Sequence, residues 1–170
     1  MSVDLDVRIP YAHPSLAPVG PLGTALARRE HWSRSDLGRL SRLLATGATG
    51  ELLRTARFDP VSRWYLRLAL TEQVEVWLLT WTPGQRTAPH DHGGASGAYT
   101  VVRGELTETW RDGPASAVRA TRGRGRGSAF GADRVHIVGN DGTLDAISVH
   151  AYSPPLLPLG TDVTLEEPPG

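Results

Sequence analysis

The sequence contains no cysteine and no lysine, and a single methionine among its 170 residues. The first absence excludes thiolate metal sites, a cysteine nucleophile, redox pairs and any disulfide framework, so whatever chemistry occurs must use histidine, carboxylate, hydroxyl or guanidinium groups. The second leaves arginine to carry all the positive charge, a substitution that reflects coding bias rather than function. The 18 basic and 18 acidic residues give a formal net charge of +0, which offers no electrostatic case for nucleic acid or a membrane surface as partner. No stretch approaches the roughly 20 apolar residues that cross a bilayer. Residues 1–20 lack a basic start followed by an apolar run, so neither a signal nor a transit peptide is expected, and the expected location is cytoplasmic. A chain of this length buries roughly 68–70% of its unfolded surface without staples, and one domain over residues 1–170 is expected.

Two periodicities divide the chain. Between Ser35 and Phe58, Leu37, Leu40, Leu43 and Leu44, then Leu52, Leu53 and Ala56, recur every three or four positions, as one face of a helix does. Ser35 or Asp36 offers the cap, and residues 46–50, with two glycines, interrupt the pair. From Trp64 onward the runs become short, β-branched or aromatic, as in residues 74–81, 98–103, 135–138 and 144–152, with Gly, Pro, Asp and Asn clusters between them. Such a series predicts a mainly β fold, a sandwich or small antiparallel barrel over about residues 63–165, with the 35–58 helices packed on it to complete one core. The tail after Pro154 is proline-rich, and residues 163–165 could add a last strand.

Three segments carry candidate chemistry. In Pro89-His90-Asp91-His92-Gly93, an extended backbone projects His90 and His92 to one side and Asp91 to the other, so the imidazoles either share a metal ion or are merely solvated. His136, in the short strand Arg134-Val135-His136-Ile137-Val138, reads alone as an ordinary half-buried histidine. In Ser148-Val149-His150-Ala151-Tyr152, alternation puts Ser148, His150 and Tyr152 on one face, where they form either a hydrogen-bonded relay or the solvated side of an edge strand. A hydrolase triad is disfavoured, since neither a nucleophile elbow nor an oxyanion signature surrounds Ser148. The Arg122-Gly123-Arg124-Gly125-Arg126 run is short and lacks aromatics for stacking, which reads as a flexible hairpin of solvated arginines rather than an RNA-binding tract. Trp77, Trp81 and Trp110 read as core or barrel-wall residues, with Trp81 near enough to the histidine motif to line a pocket.

The spacing Gly84, five residues, His90, one residue, His92, four residues, Gly97, six residues, Gly104 resembles the first signature of the cupin superfamily, a small antiparallel barrel holding a metal at its mouth. Where the usual cupin has a glutamate ligand this chain has Gly97, and His136, with Asn140 after it, resembles the end of the second signature. Taken with Tyr65-Leu66-Arg67 and Ser148 to Pro155, the chain resembles a bacterial cysteine dioxygenase of the thiol dioxygenase family over roughly residues 63–155. The resemblance implies Fe(II) held by His90, His92 and His136, and a substrate carboxylate held by Arg67 with help from Tyr65. It also implies a Ser148–His150–Tyr152 relay and a cis bond before Pro154. Animal members crosslink a cysteine to the relay tyrosine; Gly97 occupies that position here, so Tyr152 would act as a free phenol.

The implied reaction adds both atoms of O2 to the sulfur of L-cysteine and gives cysteine sulfinic acid, with a monomer expected. Three neutral imidazoles leave the full dipositive charge on the metal, which suits an anionic thiolate. Two other readings stay open at this point. One is a dioxygenase for 3-mercaptopropionate or another small thiol acid, against which an arginine at position 67 weighs. The other is a noncatalytic cupin that binds a metal, zinc included, and a small ligand as a sensor.

Overall fold

The structure, a computed structural model, describes residues 11–20, 26 and 28–156. The candidate strand at 163–165 lies outside the described residues. Strand β1 (Tyr11–Ala12) and a 3-10 turn (Pro14–Val19) precede helices α1 (Arg34–Gly47) and α2 (Thr49–Thr55). Eight strands follow: β2 (Tyr65–Leu70), β3 (Glu75–Trp81), β4 (Ser96–Arg103), β5 (Glu105–Asp112), β6 (Val118–Gly123), β7 (Gly127–Phe130), β8 (Arg134–Gly139) and β9 (Ala146–Ser153).

The helical pair starts earlier than the apolar pattern suggests. Ser33 is the cap: its Oγ accepts the Asp36 amide at 3.2 Å while Asp36 Oδ2 accepts the Ser33 amide at 3.1 Å, a reciprocal box that satisfies two otherwise orphaned donors. Asp36 is therefore the box's second half rather than the cap. Helix α1 ends at Gly47, Ala48 separates it from α2, and the buried stripe of Leu37, Leu40 and Leu44 is continued by Leu52.

All paired strands run antiparallel, in a six-stranded sheet ordered β1-β2-β3-β9-β4-β7 and a three-stranded sheet ordered β6-β5-β8. This is the expected small antiparallel barrel with helices packed on it. Alternation divides the core into two. Val76, Leu78, Ala98, Val149 and Ala151 face the α1–α2 stripe in one cluster, whereas Trp81, Tyr99, Val101, Phe130, Tyr152 and, from the smaller sheet, Leu106 and Val138 form another. Each fully buried leucine or valine contributes about 1.5–3 kcal/mol, so the helices stabilise the outer face of the large sheet and leave its inner face to the site. A buried Ser41–Thr100 hydroxyl pair at 2.9 Å fixes α1 against β4.

Strand β9 lies between β3 and β4, with Trp77 opposite His150 on one side and Tyr99 opposite His150 on the other. The relay segment is therefore a central strand buried on both faces, which removes the edge-strand reading. The Ser153–Pro154 bond is cis, as expected. No helix among the described residues is long and apolar enough to cross a membrane.

Candidate metal centre

His90 sits on no regular strand. Its backbone exchanges two hydrogen bonds with His136 on β8, N to O at 3.1 Å and 3.0 Å, which forms an isolated antiparallel bridge. A directly paired couple points both side chains to one side of the ladder, and the two rings lie with centroids 4.7 Å apart. His92, two residues on, brings its ring to 5.0 Å from His90 and 4.8 Å from His136. Asp91 turns away and caps the backbone, accepting the Gly93 amide at 3.0 Å. One nitrogen from each of the three buried imidazoles lies within 4.8 Å of the other two.

The hydrogen bonds decide which nitrogens are free. His136 Nδ1 is 2.8 Å from Glu108 Oε1, and His90 Nδ1 is 2.9 Å from the Ala88 carbonyl oxygen. An ionised carboxylate and a carbonyl only accept, so both Nδ1 atoms carry the proton and both Nε2 lone pairs are left for a ligand. Neither ring nitrogen of buried His92 has any hydrogen-bond partner. An imidazole buried with both polar atoms unmatched is costly, and a cation shared with its two neighbours would take up one of the two nitrogens. The donor set fits a divalent transition metal held by three neutral nitrogens, with open positions beside it.

Neutrality is built in. Burial, then the charge of His136, lowers His90 to about 4; burial, then the charges of His136 and His90, lowers His92 to about 2. Glu108 is wholly buried and binds four partners: His136, Tyr99 (3.2 Å), Arg122 (3.0 Å) and Arg134 (3.2 Å). Burial pushes its carboxyl up, but the hydrogen bond from His136 and the charges of His136, Arg134 and Arg122 outweigh this and hold it at about 2. Arg134 is fixed in turn by a two-pronged pair with Asp112, at 2.7 and 2.8 Å. Arg122 is thus no solvated hairpin arginine; within the Arg-Gly run, Arg124 and Arg126 alone are exposed.

A cavity of about 420 Å³ opens beside the imidazoles, lined by His90 and His136 together with His150, Tyr152, Tyr65 and Arg63. Trp81 Nε1–H donates to Ser148 Oγ at 2.9 Å; Ser148 Oγ lies 2.8 Å from His150 Nε2, and His150 Nδ1 lies 3.2 Å from the Tyr152 hydroxyl. The indole can only donate, so the serine hydrogen is best placed on His150 Nε2, His150 Nδ1–H then donates to the phenol oxygen, and the phenol hydrogen is left for the cavity. Burial, then the charges of His136 and Arg63, lowers His150 to about 3, and burial raises the Tyr152 phenol above its ordinary value, so both are neutral near pH 7. Trp81, expected as a wall residue, is also the first donor of this chain.

The His150 shift has a sign that can be measured. The unfolded imidazole, near 6.5, takes up a proton that the folded one refuses down to about 3, so the stabilisation is complete above about pH 6.5 and is lost as pH falls toward 3. The expected slope is up to about 1.4 kcal/mol per pH unit for this one group. Melting curves of wild type and His150→Gln between pH 7 and pH 4 should converge toward acid; parallel curves would contradict the shift.

Of the residues expected at the substrate, Tyr65 lines the cavity at its exposed side and packs edge-on against Trp77, ring centroids 5.7 Å apart. Arg67 is not among the lining residues. Its guanidinium lies 4.7 Å over the Trp77 ring and its Nε is 3.5 Å from Glu75 Oε2.

A family model described as cysteine dioxygenase type I matches residues 40–159. Among solved structures, the TT1209 protein of Thermus thermophilus is 25% identical, with a TM-score of 0.53 over 61% of this chain and 93% of that one. A Klebsiella pneumoniae protein described by its double-stranded β-helix domain is 20% identical, with a TM-score of 0.54 over 64% of this chain and 86% of that one. An oxalate oxidase gives 17% identity and a TM-score of 0.50 over 59% and 56% of the respective chains. No curated protein matches the chain.

Proposed function

Because this chain belongs to the cysteine dioxygenase type I family, we propose that it is an iron-dependent thiol dioxygenase that converts L-cysteine and O2 to cysteine sulfinic acid. The observation that carries this reading is the meeting of three buried imidazoles, His90, His92 and His136, beside a cavity that the His150–Tyr152 end of the relay also lines. Iron, when bound, supplies the site where the thiolate and dioxygen are brought together and exchange electrons. Sulfur loses four electrons and O2 gains four, so no external reductant is needed.

The chain's own groups do the positioning. Among the described residues the cavity lining contains no carboxylate, while it holds a guanidinium, phenols and the imidazoles. That balance favours an anionic thiol acid over a cationic aminothiol. The Tyr152 hydroxyl, braced by His150, Ser148 and Trp81, donates a hydrogen bond toward the reacting atoms and restricts their movement. The apolar walls, among them Leu79, Trp81 and Val138, keep bulk water off them.

Oxygen uptake by the iron-loaded protein on adding L-cysteine tests the reading, with one O2 consumed per sulfinate formed. No uptake at full iron occupancy would favour a binding protein instead, and parallel kinetics with 3-mercaptopropionate decide the preferred acid. Tyr152→Phe is expected to keep its metal while kcat falls roughly 10²-fold, the usual scale for losing one donor aimed at developing charge. Unchanged turnover would take the relay out of the reaction.

A further inference from the structure

Two arginines stand near the cavity on the same stretch of chain, and the structure treats them oppositely. Arg67 is exposed and engaged elsewhere: it forms an ion pair with Glu75, only 3% exposed, its Nε 3.5 Å from one carboxylate oxygen, while the other oxygen accepts from the Leu156 amide (2.8 Å). Moving Arg67 to a ligand would leave that buried carboxylate without its counter-charge, a costly arrangement. Arg63 lines the cavity, half-buried, with its guanidinium 4.9 Å over the Trp81 ring. Among the described residues it has no hydrogen bond and no acidic partner. Burial lowers its pKa, and the phenols of Tyr152 and Tyr65, which line the same cavity, oppose this.

A half-buried guanidinium in a cavity whose described lining has no carboxylate is half of a recognition pair. We propose that Arg63, and not Arg67, receives the substrate carboxylate, its guanidinium backed by the Trp81 face in the cavity that Tyr65 and Tyr152 also line, while Arg67 serves as the structural counter-ion of Glu75. The assignment rests on the thiol-acid reading above and makes position 63 the determinant of acid specificity in this chain. A guanidinium fork offers two parallel N–H groups to both carboxylate oxygens, and the indole beneath Arg63 favours its charge.

The test is anaerobic calorimetry of the iron-loaded protein with L-cysteine and with cysteamine, which lacks only the carboxylate. Wild type should prefer L-cysteine by about 10- to 150-fold, the worth of a charge-assisted contact. Arg63→Gln should erase that gap with iron content unchanged, Arg63→Lys should restore part of it, and Arg67→Gln should keep the gap while lowering the melting temperature. A gap that survives Arg63→Gln, or disappears in Arg67→Gln, overturns the proposal, as does its absence from wild type. Oxygen uptake by wild type reports separately on the dioxygenase reading: if uptake fails while the gap follows Arg63, the acid-binding assignment stands and the reaction is wrong.

Discussion

Replacing His136 by alanine is expected to strip the protein of its metal and reduce oxygen uptake with L-cysteine by about 10³-fold or more. The side chain supplies one of three converging nitrogens, and its Nδ1 is the point where Glu108 fixes the ring. Its loss leaves two imidazoles, one of which, His92, has no hydrogen bond to hold its orientation. Iron per protein chain, measured after dialysis against a weak chelator, should fall below one-tenth of the wild-type value. His31→Ala, at an exposed position, should leave it unchanged. Full occupancy in His136→Ala would mean that the metal is held elsewhere.

Glu108→Gln should act on metal and fold together. A carboxylate hydrogen-bonded to a ligating imidazole fixes its tautomer and raises its basicity, and losing such a partner typically costs 10- to 100-fold in metal affinity. The same carboxylate is the counter-charge of Arg122 and Arg134, which are 17% and 7% exposed, and an amide cannot replace it. Breaking a buried pair from one side costs roughly 3–5 kcal/mol. A lower denaturation midpoint and a weaker metal in a chelator competition should therefore appear together. Stability lost with metal affinity unchanged would restrict Glu108 to the fold.

The His90–His92 pair and the row of Ser148, His150 and Tyr152 are legible because their geometry is local, since residues two apart along extended chain share a side, whereas His136 joins them only through the family resemblance. The His90 segment shows its limit. The chain there is a loop with one bridge rather than a strand, and the side chains agree because His136 pairs with it across a gap in sequence that no periodicity reveals. Glu108 went unread although it carried a signal, since it alternates in phase with Leu106 and Trp110, so a carboxylate stands on the inward face of β5. By resemblance the sequence points to Arg67, and no local pattern draws attention to Arg63. Which guanidinium remains available depends on Glu75, brought opposite Leu70 by the β2–β3 register, a tertiary fact. The helix start was misplaced by two residues because the reciprocal box begins before the first apolar position.

Gly97 stands opposite both Tyr152 and Phe130 in the large sheet. A methyl group added there would come within 2.6 Å of the Phe130 ring and 2.9 Å of the Tyr152 ring. The aromatic ring thus fills the volume a sulfur would need, and Phe130 is itself 1% exposed with nowhere to retreat. A thiol placed at position 97 would therefore require the Phe130 ring to move or be replaced by a smaller side chain before a sulfur could lie beside the Tyr152 ring.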